Sequence, residues 1–169
     1  MASTLHDTFI SRVAKEIENE LRRLAGLHVE AQSFIEDIEH VCGRMYFPGD
    51  DDDDDDNNVG QRVPDARFQH RNATYPGVII EVSYSQTLKS LVNLAEKYLL
   101  RSDGRVRIVV GLKLDYQKSK QAWFSIWRLK TSNINGQPQR ELETVVKDKV
   151  SCRITRSKAQ LIQTSSSEM

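Results

Sequence analysis

Residues 76–101 read PGVIIEVSYSQTLKSLVNLAEKYLLR, and the fold turns on how that stretch divides. Residues 77–84 are apolar and rich in β-branched side chains, which predicts a buried strand. From residue 86 onward the pattern changes period. Leu88, Leu91, Val92, Ala95 and Leu99 recur at intervals of three and four, the signature of one helix face over 86–101. Along the strand, side chains alternate, so Glu81 and Ser83 project to one face while Ile80 and Val82 project to the other. A carboxylate in so apolar a strand must be paired, with Arg107 one available partner, or must coordinate a metal, because an unpaired buried charge is costly.

Working outward, Asp103-Gly104 marks a turn, and residues 106–114 and 122–129 are two further apolar strands. Upstream, residues 62–68 read as a short strand or strand entry. The order strand, strand, helix, strand, strand describes an α/β or mixed α+β sheet with helices packed on it. Ahead of it, Phe9, Ile10, Val13, Ile17, Leu21 and Leu24 define a helix over 8–25, capped by Asp7 or Thr8 and ended by Gly26. Ser33 and Glu36 have the spacing of a capping box for a second helix over 33–41, and residues 45–47 suggest a short strand. Trp123 and Trp127, four apart in a strand, share a face and read as sheet packing. Residues 135–138 form a turn, 141–154 a strand or short helix, and the Ser-rich 151–169 a flexible tail. The 169 residues suit one domain over 1–150, with a helical start at 8–41 and a core at 61–130.

The net charge of zero hides an asymmetry. Residues 1–60 carry 15 acidic and 5 basic side chains, and residues 61–169 carry 9 acidic and 19 basic. The basic half suits a phosphate backbone, DNA or RNA, and equally a solvated surface. Seven consecutive aspartates, Asp50 to Asp56, repel one another and read as a disordered loop over 48–60. That run is a low-complexity insert, a loose cation site, a dock for a basic protein partner, or a cover for the chain's own basic surface; it lacks the spaced ligands of a calcium loop. Cys42 and Cys152 have no ligand pattern and read as reduced, interior thiols. With no signal peptide and no apolar run of membrane-spanning length, the expectation is an intracellular protein of the nucleus or cytoplasm, with no membrane partner.

Glu81 gains a second acid upstream. Asp65 follows Pro64 near a strand end, 16 residues earlier, and two adjacent strands joined by such a loop can bring both carboxylates to one hard cation. Two carboxylates plus waters suit Mg²⁺, which can generate hydroxide and neutralise charge on a phosphodiester. No glycine-rich phosphate loop, nucleophile elbow or zinc cluster is present. His6, His28, His40 and His70 show no paired metal spacing and read as surface or capping histidines, although His70-Arg71 lies near enough to Asp65 to approach phosphate. Arg67, Arg71, Lys113, Lys118, Lys120 and Arg128 are the basic residues expected nearest a nucleic acid.

Pro64-Asp65, then Glu81-Val82-Ser83 at the end of an apolar strand, followed by a helix and another apolar strand, resembles the PD-(D/E)xK, or restriction endonuclease-like, nuclease superfamily. Over roughly residues 60–130 the chain looks like uncharacterised fungal members of that group. The resemblance implies an αβββαβ core in which Asp65 and Glu81 hold Mg²⁺ or Mn²⁺. It also implies that a helix acid, Glu20 with Glu16 behind it, joins the metal. The sequence departs from the pattern at the third motif position, where Ser83 stands in place of lysine. The resemblance then implies a substitute from the following helix, Gln86 or Lys89, to polarise the attacking water. The function expected is a metal-dependent nuclease acting on phosphodiester bonds. The alternatives are a catalytically inert nuclease fold that binds nucleic acid or protein, and a structural partner docking through its aspartate run.

Overall fold

The computed structural model describes residues 2–47, 61–84, 88–115, 121–134 and 137–150. The chain runs α1 (Ala2–Leu27), a 3₁₀ turn (Val29–Ala31), α2 (Gln32–Glu36), β1 (Ile38–His40), β2 (Met45–Tyr46), β3 (Gln61–Arg62), β4 (Ala66–His70), β5 (Val78–Ser83), α3 (Leu88–Arg101), β6 (Ile108–Asp115), β7 (Gln121–Ile134) and β8 (Gln137–Val150). Six strands form one mixed sheet in the order β1-β4-β5-β6-β7-β8, and β2 and β3 pair separately. Only β5 and β6 are parallel within the six-stranded sheet. Parallel neighbours need a crossover, and α3 supplies it. The fold is therefore mixed α+β, with helices on both faces of the sheet.

The two faces follow from strand alternation. Ile79 and Val109 join Leu91, Ala95, Tyr98 and Leu99 of α3, with Trp127 completing that core. Ile80, Ala66 and Phe68 turn the other way and pack against Ile10 and Ala14 of α1. The burial of Trp127, 1% exposed, agrees with packing as the role of that tryptophan. At Gly111 the ring comes so close that an added Cβ would lie 2.6 and 2.7 Å from two of its carbons. Glycine is required there by close approach. The end of α3 is a tight Schellman turn: the Gly104 N–H donates to the Leu99 carbonyl at 3.0 Å and the Asp103 N–H to Leu100 at 2.9 Å. Asp103 takes the left-handed position at φ 54°, which aspartate tolerates better than most residues.

Several boundaries differ from expectation. Helix α1 begins at Ala2, so Asp7 and Thr8 lie inside it and do not cap it; the Thr8 hydroxyl donates back to the Thr4 carbonyl at 2.7 Å. The second helix stops at Glu36, and 38–40 form β1 instead, because pairing with β4 satisfies that backbone from Ile38↔His70 to His40↔Phe68. Its N-cap is Ala31 with no side-chain cap, so Ser33 sits within the helix and forms no capping box. Residues 62–68 split at Val63–Pro64, where proline has no N–H to give a ladder. Residues beyond 137 form a full strand that pairs antiparallel with β7 from Ile134↔Gln137 to Ala122↔Val150. The sheet thus extends past the expected 61–130 core on both sides. Cys42 is exposed and not interior. The aspartate run, Cys152 and the tail lie outside the described residues. Among the described residues no helix is long and apolar enough to cross a membrane.

Candidate functional site

The register of β4 and β5 sets the two acids at one level of the sheet, with the Asp65 carboxylate bonded toward α1 and that of Glu81 toward α3. Ala66 pairs with Ile80, so Asp65, one step before the strand begins, is level with Glu81. The Val82 N–H donates to Asp65 Oδ2 at 2.6 Å. The carboxylate takes the place of a ladder carbonyl where Pro64 has interrupted the strand, and is held one residue from Glu81. Its other oxygen, Oδ1, lies 3.1 Å from Nε2 of His6, delivered by the first turns of α1. Asp65 and His6 are mostly buried, with side chains 20% and 23% exposed.

Glu81 points to the α3 face, where the Tyr98 hydroxyl donates to its Oε1 at 2.6 Å. Tyr98 is 1% exposed, and a buried phenol needs a partner for its O–H. The carboxylate of Glu81 supplies it; Arg107 lies at the far end of β5, where its N–H donates to Gly77. Glu81, Gly111 and Ser125 form one row across β5, β6 and β7, and Ser83, Lys113 and Trp123 form the next. Ser83 and Ser125 are buried. The Lys113 ammonium stands 6.0 Å from the centre of the Trp123 ring, a cation–π distance.

His6 is an ionisable group that this setting shifts. Burial pulls its pKa down, but the bond from Asp7 and the charge and bond of Asp65 outweigh burial and raise it above the ordinary 6.5. It is not a surface or capping residue. His70 and His40 are likewise packed, stacking on Phe34 and Phe68 at 4.7 and 5.4 Å.

The remaining expected site residues scatter. Helix α1 brings His6, and not Glu20, to Asp65. Glu20 lies fourteen residues further along, about 21 Å at helical rise, and is bonded to Arg23 at 2.8 and 2.5 Å. That hydrogen-bonded guanidinium holds the Glu20 carboxyl below its usual range. Glu16 is exposed on the same helix, Lys89 is exposed at the start of α3, and Gln86 lies outside the described residues, as do Lys118 and Lys120. Of the arginines expected near nucleic acid, Arg71 pairs with Asp37 and Glu39, each at 3.2 Å, and Arg128 with Glu143 at 2.6 Å. Arg67 reaches the carbonyls of Arg44 and Cys42.

Two partners escaped the sequence reading. Tyr98 continues the stripe of Leu91 and Ala95 at helical spacing, and a tyrosine in a buried stripe signals an acceptor opposite. His6 carried no such signal, because its contact depends on where α1 lies across the sheet. For a metal, Asp65 and Glu81 are hard oxygen donors of the kind Mg²⁺ and Mn²⁺ accept, and their hydrogen bonds to Val82, His6 and Tyr98 fix their orientation as outer-shell partners do. Among the described residues no group of three or more His, Cys, Asp and Glu side chains converges to hold an ion. No protein-family model, no curated protein and no solved structure matches the chain.

Proposed function

We propose that the chain is a nuclease-like domain of the PD-(D/E)xK type that hydrolyses phosphodiester bonds of nucleic acid with Asp65 and Glu81 as its acids. The observation that supports the reading is the bond from Val82 to Asp65 at 2.6 Å, which seats Asp65 against the strand that carries Glu81. The order α1, β1, β4, β5, α3, β6, with β6 parallel to β5, supports it as the helix, three strands, helix, strand sequence of such a core. Asp65 and Glu81 would hold Mg²⁺ or Mn²⁺, which when bound supplies a hydroxide at neutral pH and neutralises phosphate charge. The chain's own part is orientation: Val82 and His6 fix Asp65, and Tyr98 fixes Glu81. Lys113, beside Ser83 in register and on the same face, places a positive charge where that serine cannot, and negative charge growing on phosphate is stabilised by such a fixed cation.

A specific observation favours a second reading, a catalytically inert fold that binds nucleic acid or protein. Both oxygens of Asp65 and one of Glu81 already accept bonds within the protein, and Arg71 and Arg128 are consumed by internal ion pairs. One experiment decides. Purified chain is incubated with single- and double-stranded DNA and RNA, with Mg²⁺, Mn²⁺ or chelator. The nuclease reading requires metal-dependent cleavage that Asp65→Asn and Glu81→Gln each abolish. Cleavage that survives either substitution removes the site. Absence of cleavage with salt-sensitive binding selects the inert module.

A further inference from the structure

At the opposite end of the sheet from Asp65 and Glu81, a groove of about 760 Å³ opens between the second half of α1 and the start of β5. Its size falls within the ~300–1,000 Å³ range of small-molecule sites. The floor is apolar, built by Ile17 and Leu21 of α1 and Phe68 and Val78 of the sheet. Phe34 stands at its edge 60% exposed, stacked on His70 at an interplanar angle of 24°. A large flat ring held half in water offers a face to another ring.

The rim is cationic. Val106 is buried, which turns its neighbours Arg105 and Arg107 outward into the groove. Their loop is fixed: the Val106 N–H donates to the buried Ser102 hydroxyl, Arg105 N–H to the Ser102 carbonyl, and Arg107 N–H to Gly77, each at 3.0 Å. The Arg105 guanidinium lies 5.5 Å from the centre of the Tyr75 ring. Among the described residues neither arginine has an acidic partner. Arg71, by contrast, is already neutralised by Asp37 and Glu39. Two guanidinium groups on a fixed loop, without an acidic partner among the described residues, beside an apolar, aromatic floor match a ligand with a planar ring and an anionic head. Asn72 and Thr74 also line the groove. Their amide and hydroxyl suit a base edge or ribose.

We propose that this groove binds a mononucleotide, with its base on the apolar floor beside Phe34 and its phosphate on Arg105 and Arg107. The site stands apart from Asp65 and Glu81 and does not depend on the nuclease reading.

The test is titration calorimetry on the full chain with AMP, adenosine, inorganic phosphate and decanoate. AMP should saturate one site and bind about tenfold or more tightly than adenosine or phosphate alone, the gain expected of charge-assisted hydrogen bonds. Arg105→Gln with Arg107→Gln should bring AMP down to the affinity of adenosine and leave adenosine unchanged. Phe34→Ser should weaken AMP and adenosine alike by at least about fivefold, the loss of one stacking contact. All three side chains are exposed, so the variants should keep the urea midpoint of the parent chain. The proposal is overturned if AMP shows no saturable binding, if it binds no tighter than adenosine, if the arginine pair does not matter, or if decanoate binds more tightly than AMP.

Discussion

Replacing Gly111 with alanine tests the central packing of the α3 face. A Cβ there would meet two carbons of the Trp127 ring at 2.6 and 2.7 Å, well inside the ~3.5–4.0 Å of a comfortable carbon contact. These atoms belong to a rigid ring that is 1% exposed, so the side chain cannot swing into solvent. Overpacking of this kind costs about 1–3 kcal/mol. Alanine also restricts the unfolded chain, which returns about 0.5–1 kcal/mol. The net expectation is a loss of about 1–2 kcal/mol. Urea unfolding followed by circular dichroism should show it as a midpoint lowered by about 0.5–1 M, given a slope of about 2 kcal/mol/M. In a Trp127→Leu background the clash is gone and the same substitution should become neutral or stabilising, a non-additivity expected of contacting residues. An unchanged or raised midpoint for Gly111→Ala in the parent chain would refute the geometry. Because Gly111 is the register partner of Glu81, the same substitution should disturb Glu81 and lower any metal-dependent activity.

Tyr98→Phe deletes the 2.6 Å bond to Glu81 and should cost about 1–2 kcal/mol in urea unfolding; a double-mutant cycle with Glu81→Gln that shows no coupling would count against it. Asp65→Ala strands the Val82 N–H and should destabilise by about 1–3 kcal/mol, whereas Asp65→Asn keeps an acceptor and should cost clearly less, so the reverse order would discredit the strand-capping role. The imidazole of His6, followed by NMR, should titrate above 6.5 and fall back toward it in Asp65→Asn. Since its folded pKa is raised, the stability it contributes is full below the unfolded value of 6.5 and is lost as pH rises through the folded value. A midpoint at or below 6.5 would break the argument.

The crossover unit was legible because two patterns meet in one stretch: VIIEVS is a β-branched apolar run, and Leu91, Ala95 and Leu99 step by turns of a helix. Alternation also predicted correctly that Glu81 and Ser83 share a face opposite Ile80 and Val82. Local pattern failed where partners far along the chain decide. Ile38–His40 carries helix-compatible side chains, and only β4, some thirty residues later, makes it a strand. Glu20 and His6 lie on the same helix, and their spacing cannot say which end of α1 crosses the end of β4. The groove arginines were hidden for a similar reason, since Arg105 and Arg107 face the same way only because Val106 is buried between them.

Among the described residues the sheet ends in β8, fourteen residues long, with a whole row of backbone groups turned away from β7. Such an edge is a template on which a second chain could add a strand and seed aggregation. Here it is guarded by composition. Pro138 has no N–H to offer, and Arg140, Glu141, Glu143 and Lys147 spread both signs of charge along its length, so an incoming strand would have to strip water from them. Replacing these charges with threonine or valine would leave the fold's core untouched and turn this margin into a surface for fibre growth.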